Sequence, residues 1–199
     1  MLFEGPVGQL EGELVSVPGS EVAAVLCHPH PQMGGSMHDA VLGAVHDALV
    51  AQGVTTLRFN YRGVGASDGS YDNGQGETED TLAALQWLRA NTEAKRILLA
   101  GYSFGGVMAL RAAGEAEPDA LLLVAPAVSM AGDLAKPGMP VVVILAEQDQ
   151  FVDVDETRDW FAEGAAIETI ATDHFFFGEH ETIGQQIAGH TAVLLGTGD

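Results

Sequence analysis

The chain of 199 residues is poor in cysteine, in basic residues and in long apolar runs. Cys27 is its only cysteine, which rules out an internal disulfide. Eight basic residues stand against 28 acidic ones, and the formal charge of -20 repels phosphate backbones and anionic lipid surfaces at long range. Nucleic acid and membranes are therefore poor partners. The most apolar stretches, "ALLLVAPAV" and "PVVVILA", fall far short of the roughly 20 residues that span a bilayer. The opening "MLFEGPVGQLEGEL" has no basic segment followed by an apolar one, which points to a cytoplasmic protein. Acidic, lysine-poor surfaces also mark proteins of salt-loving organisms; ordinary acidic solubility is the alternative. Tandem repeats and low-complexity tracts are missing as well.

What remains is globular. A hydrophobic content of 47% and a charged content of 18% suit one domain over residues 1–199. A chain of this length buries about 70% of the surface its unfolded form exposes, so neither a metal nor a disulfide is needed to hold it. Short β-branched runs alternate with longer helical patterns: "EVAAVLC", "DAVLGAVHDALVAQG", "VTTLRFN", "ETEDTLAALQWLRAN", "RILLAGY". This is the rhythm of βαβ units. Parallel strands are expected near 22–27, 54–59, 96–101, 120–125 and 140–145. An edge hairpin is expected in "QLEGELVSVPG", a helix around "DETRDWFAE", a strand in "AIETIA" and a last helix near 181–194. Strands apolar on both faces imply an α/β fold, a mostly parallel central sheet with helices on both faces. Functional groups are to be sought at the carboxyl ends of such strands.

One such end carries "GYSFGG", residues 101–106, directly before a helix. Gly-x-Ser-x-Gly between strand and helix is a nucleophile elbow, in which a strained turn lifts the Ser103 hydroxyl above the sheet. A simple glycine turn with a capping serine is the plainer alternative. A serine needs a base, and the base an orienting acid, both later in the chain. Asp149 follows the strand "PVVVILA", with Asp153 and Asp155 as competitors deeper in the next segment. His174 follows the last strand, with His180 and His190 as alternatives near the final helix.

"HPHPQMGGSMHDA", residues 28–40, holds three histidines and two prolines after the strand "EVAAVLC". A loop in this place supplies an oxyanion-hole amide. Pro29 and Pro31 have no N–H, which leaves the His30 amide as the donor in that tripeptide, beside the Phe104 amide, with Gln32 or Met33 as fallback. A metal on His28, His30 and His38 is the competing reading, weakened by the lack of a helical His-x-x-x-His or cysteine-rich spacing. Cys27 ends its strand outside any elbow and suits a buried structural thiol. "RFNYRGVGASDG" misses the dinucleotide fingerprint by one residue; it either rims the site or is a glycine-rich turn. Met33, Met37, Phe104, Phe151 and Phe175 are candidate pocket walls, and each would serve equally in the core.

As a set, "HPHPQMGG", "RFNYRGVGASDG", "GETED", "GYSFGG", "EQD" and "DHFFFG" resemble the α/β-hydrolase superfamily, specifically its small lidless branch similar to dienelactone hydrolases and compact bacterial serine esterases. They span roughly residues 25–180 in the family's order. The resemblance implies an α/β-hydrolase fold without a cap domain, since residues 127–139 are too few to hold one. It implies Ser103 as nucleophile, His174 as base and then acid, Asp149 as its partner, and the His30 and Phe104 amides as oxyanion hole. No metal or organic cofactor is implied, and the substrate class is small or exposed carboxylic esters. Serine stands where dienelactone hydrolases carry cysteine, which argues against lactone hydrolysis. Similar triads serve thioesterases, peptidases and perhydrolases, and the fold also serves non-catalytic scaffolds. A pure binder has no physical need for a strained serine elbow. Ala146 and Ala171 stand where many members have glycine.

Overall fold

The computed structural model describes residues 1–196. Its centre is a sheet of eight strands in the order β1-β2-β4-β3-β5-β6-β7-β8. The strands are β1 (Leu2–Gly5), β2 (Gly8–Val15), β3 (Val22–Cys27), β4 (Thr55–Phe59), β5 (Arg96–Tyr102), β6 (Ala120–Val124), β7 (Val141–Ala146) and β8 (Ala165–Ile170). The edge hairpin lies earlier than expected: β1 falls before the stretch "QLEGELVSVPG" and pairs antiparallel with β2, which adds antiparallel to β4. From β4 through β8 every pair is parallel.

Alternation along the strands divides the core in two. Val25, Leu99, Leu123 and Val143 face one side, where α2 (Gln75–Asn91), α3 (Phe104–Ala116) and α4 (Val154–Phe161) cover them. Leu26, Leu98, Leu122 and Ile144 face the other, under α1 (Ala40–Ala51), α5 (His180–Gly189) and α6 (Thr191–Leu195). Both faces are dry, hence the continuous apolar runs of β6 and β7. No described helix is long and apolar enough to cross a membrane.

The expected last helix is corrected, and one open alternative is decided. The last helix is two: the chain leaves helical geometry at His190, whose Nε2 lies 2.8 Å from Glu168 Oε1 on β8. Gly189, a weak helix former, precedes the break. "RFNYRGVGASDG" is a structural turn, and none of its residues lines the cavity described below. Arg62 Nε and Nη2 donate to the buried Asp80 carboxylate, which also accepts the Arg62 amide, tying this loop to α2. The segment 127–139 between β6 and β7 holds a single 3-10 turn, Val128–Met130, and no cap.

The chain runs from β3 to β4 on one side of β3, then to β5 on the other. The carboxyl ends of β3 and β5 therefore flank the switch point, where open α/β sheets leave a crevice.

Candidate active site

Ser103 sits at that switch point with φ 55° and ψ -118°, a region that L residues avoid at a cost of about 1–3 kcal/mol. Its backbone is held: the amide donates to Val124 O at 2.9 Å, and its carbonyl accepts Gly106 N at 3.0 Å. Glycine is required on both sides. A Cβ at Gly101 would overlap the Gly105 carbonyl, and one at Gly105 would overlap the Cys27 and His28 carbonyls. Ser103 holds the N-cap position of α3, yet its hydroxyl does not cap the helix. Instead Oγ lies 3.0 Å from His174 Nε2.

His174 Nδ1 is in turn 2.7 Å from Asp149 Oδ2. A carboxylate only accepts, so the Nδ1 proton belongs to this bond and Nε2 presents its lone pair to the Ser103 hydroxyl. Asp149 Oδ1 is fixed by the Phe151 and Val152 amides, both at 2.9 Å. The imidazole packs against Tyr102, Phe151 and Phe175, and the Tyr102 hydroxyl donates to the His174 carbonyl at 2.8 Å. The competing residues are occupied elsewhere. Asp153 caps α4, Asp155 pairs with Arg158, His190 pairs with Glu168, and His180 opens α5.

The 28–39 loop leaves β3 and lies over the start of α3. His30 and Phe104 line the same cavity as Ser103, and neither amide donates a hydrogen bond among the described residues. The fallback donors are taken: the Gln32 amide donates to His30 Nδ1 at 3.2 Å and the Met33 amide to His30 O at 3.0 Å. The His30 ring meets Tyr71 and Phe104 at a tilt, with centroids 5.0 and 4.8 Å away, and a Cβ at Gly35 would overlap the Pro29 carbonyl. His30 is thus held by its ring contacts and by the close approach of the Gly35 backbone.

His28 has no nitrogen to spare for a metal. Nδ1 donates to Pro29 O at 2.6 Å and Nε2 accepts the Tyr61 amide at 3.1 Å, in a fully buried site. Burial pushes its pKa down to about 4, against the opposing pull of the Pro29 carbonyl. The unfolded chain binds this proton from pH ~6.5 downward while the folded chain does not until about 4. Its stabilising contribution is thus complete above pH ~6.5 and shrinks by about 3 kcal/mol as pH falls toward 4. Urea midpoints should therefore drop more steeply between pH 7 and 4.5 in the wild type than in His28→Asn. Partly buried His30 and buried His46, also shifted down, remain in both proteins and cancel. Equal slopes would refute the buried neutral His28. Cys27, at the end of β3, is buried and pushed up to about 11 by its dry surroundings, the state of an inert thiol.

The cavity over Ser103 measures about 430 Å³. Met33, Phe151 and Phe175 line it and are 71%, 54% and 45% exposed. Met37 does not. It is 4% exposed, and its amide is drawn inward to Asn60 Oδ1 at 2.8 Å, so its assignment as a pocket wall is wrong. Asp39, Tyr102, Ser129 and Met130 line the cavity without having been singled out in the sequence. Asp39 carried a signal only as the N-cap of α1. Ser129 and Met130 lie in a segment with no periodicity to read.

Comparison with known proteins agrees with this architecture. The family model described as serine aminopeptidase, S33, matches residues 25–139. An uncharacterized protein of Rickettsia prowazekii is 36% identical over 166 residues, which cover 79% of this chain and 69% of that protein. Among solved structures, an alpha-beta serine hydrolase homologue from Coxiella burnetii superposes with a TM-score of 0.90 at 33% identity, covering 95% of each chain. A lidless serine hydrolase from Xanthomonas campestris superposes with a TM-score of 0.89 at 34% identity, over 96% of this chain and 92% of that one. The sheet order, the elbow after β5 and the match over more than half the chain agree: this protein belongs to the serine aminopeptidase S33 family of the α/β-hydrolase superfamily and is a hydrolase.

Proposed function

We propose that the protein is a serine hydrolase that cleaves small or exposed carboxylic esters through an acyl-enzyme on Ser103. The observation that carries this reading is the chain of hydrogen bonds from Asp149 Oδ2 through His174 to Ser103 Oγ, at 2.7 and 3.0 Å, opening into a cavity without a cap. His174 Nε2 takes the hydroxyl proton as Oγ attacks the ester carbonyl, and the imidazolium so formed is stabilised by Asp149. The negative charge on the carbonyl oxygen is met by the His30 and Phe104 amides. Collapse of the tetrahedral intermediate breaks the bond to the alcohol, which leaves with the proton from Nε2. Water then repeats the sequence on the acyl-enzyme and releases the acid. These steps need no metal or organic cofactor.

The uncapped mouth and the apolar Met33, Phe151 and Phe175 suit short acyl groups or esters presented at a surface. A panel of 4-nitrophenyl esters, acyl thioesters and aminoacyl 4-nitroanilides tests the reading. Short esters are expected to turn over fastest. Preference for thioesters or anilides would move the substrate class while keeping the triad, and folded protein inert on all three would refute the catalytic reading.

A further inference from the structure

Asp39 stands on the wall of the cavity together with Ser103, Tyr102 and His174. Its Oδ1 caps α1 by accepting the Val41 and Leu42 amides at 2.9 and 3.1 Å. Its Oδ2 has no hydrogen-bond partner among the described residues. Burial raises the Asp39 pKa, opposed by the two cap bonds and by the nearby His180 and His174. The Tyr102 hydroxyl, raised first by burial, is raised further by the Asp39, Asp149 and Asp173 charges; it donates to the His174 carbonyl, so Asp39 lies close to the group that holds the triad histidine.

No permanent cation balances it. Neither lysine nor arginine lines the cavity, and all eight in the chain are engaged elsewhere. Arg58, Arg62, Lys95 and Arg158 pair with carboxylates. The other four donate to backbone carbonyls. Apart from its histidines, the cavity therefore has one charged wall residue, and the rest is polar or apolar.

We propose that Asp39 sets the charge selectivity of the site, admitting substrates whose bound groups are neutral or cationic and rejecting those that carry an anion near Ser103. This rests on Ser103 being the point of acyl transfer. At a separation of about 6 Å and an effective dielectric of about 40, one unit charge changes affinity by about tenfold. The overall charge of -20 pushes the same way, but salt screens it, whereas a contact inside the cavity is screened far less.

The test uses butyrate esters of benzyl alcohol, 4-(aminomethyl)benzyl alcohol and 4-(hydroxymethyl)benzoate, compared in 0.5 M salt for wild type and Asp39→Asn. Asparagine keeps the helix cap, because its side-chain oxygen accepts the same amides. The ratio of kcat/KM between charged and neutral esters cancels any effect of the substitution on Ser103 itself. In the wild type, the anionic ester is expected to be slower than the neutral one by about tenfold. Asp39→Asn should remove most of that penalty and lower the cationic ester relative to the neutral one. Unchanged ratios, or a wild type that prefers the anionic ester, would overturn the proposal. Binding of the three parent alcohols to Ser103→Ala, with and without Asp39→Asn and followed by ligand-observed NMR, decides the charge rule without turnover. If the affinities follow the rule and no ester is cleaved, acyl transfer fails and the selectivity stands; equal affinities overturn the selectivity.

Discussion

Ser103→Ala is expected to lower the turnover of short esters by roughly 10³-fold or more while the protein stays folded. The size of the loss follows from the linkage of the three groups. Without Oγ there is no acyl-enzyme, and His174 Nε2 has no hydroxyl to deprotonate. What survives is general-base attack by water in a cavity with its oxyanion donors intact. The structural cost is small, since Oγ makes one hydrogen bond, to His174, worth about 1 kcal/mol. The left-handed backbone at φ 55° is equally strained with alanine, so the strain cancels between the two proteins. Steady-state kinetics on a 4-nitrophenyl ester, with circular dichroism on the same samples, separates the two effects. A variant within tenfold of the wild type would show that another residue performs the reaction.

Gly105→Ala is expected to act differently, damaging fold and site together. Its Cβ would overlap backbone carbonyls of Cys27 and His28, atoms at the end of β3 that cannot rotate away. Overpacking of this kind costs about 3 kcal/mol or more, and the melting temperature should fall by about 10 °C. The relief route is a shift of the β3 end, which carries His28 and the His30 peptide, so turnover should fall in the fraction that remains folded. A melting temperature within 2 °C of the wild type would mean that strand and helix do not approach as closely as the structure has them.

These two glycine-flanked contacts explain why the centre of the site was legible in the sequence. Gly101 and Gly105 are dictated by the close passage of α3 over β3 and β5, and such steric demands leave a fixed spacing around Ser103. Asp149 and His174 were legible for a related reason: each follows a strand, the apolar β7 and the shorter β8, whose end marks the edge of the site. Pro29 and Pro31 left His30 as the one donor of its tripeptide, and in the structure the 3-10 turn occupies the Gln32 and Met33 amides.

The rest depends on how irregular segments turn, and periodicity carries no information there. Met37 lies five residues beyond Gln32 in the same loop, yet the chain turns it inward because Asn60 captures its amide. That bond joins residues 23 apart in sequence. Arg62 and Asp80 pair across 18 residues and make a structural turn of a glycine-rich stretch that looked able to rim a site. Asp39 went unread in the sequence, because it caps α1 and at the same time lines a cavity assembled from the ends of several strands. The break at His190 needs Glu168 on β8 as its partner, a contact that no local pattern announces.

Reaction of the folded protein with a fluorophosphonate probe, followed by digestion and mass spectrometry, tests the central claim most directly. A single adduct on Ser103 is expected, absent from Ser103→Ala and slowed in Asp149→Asn, because the nucleophile depends on the His174 tautomer that Asp149 holds. An adduct on another residue, or no adduct on folded protein, would contradict it.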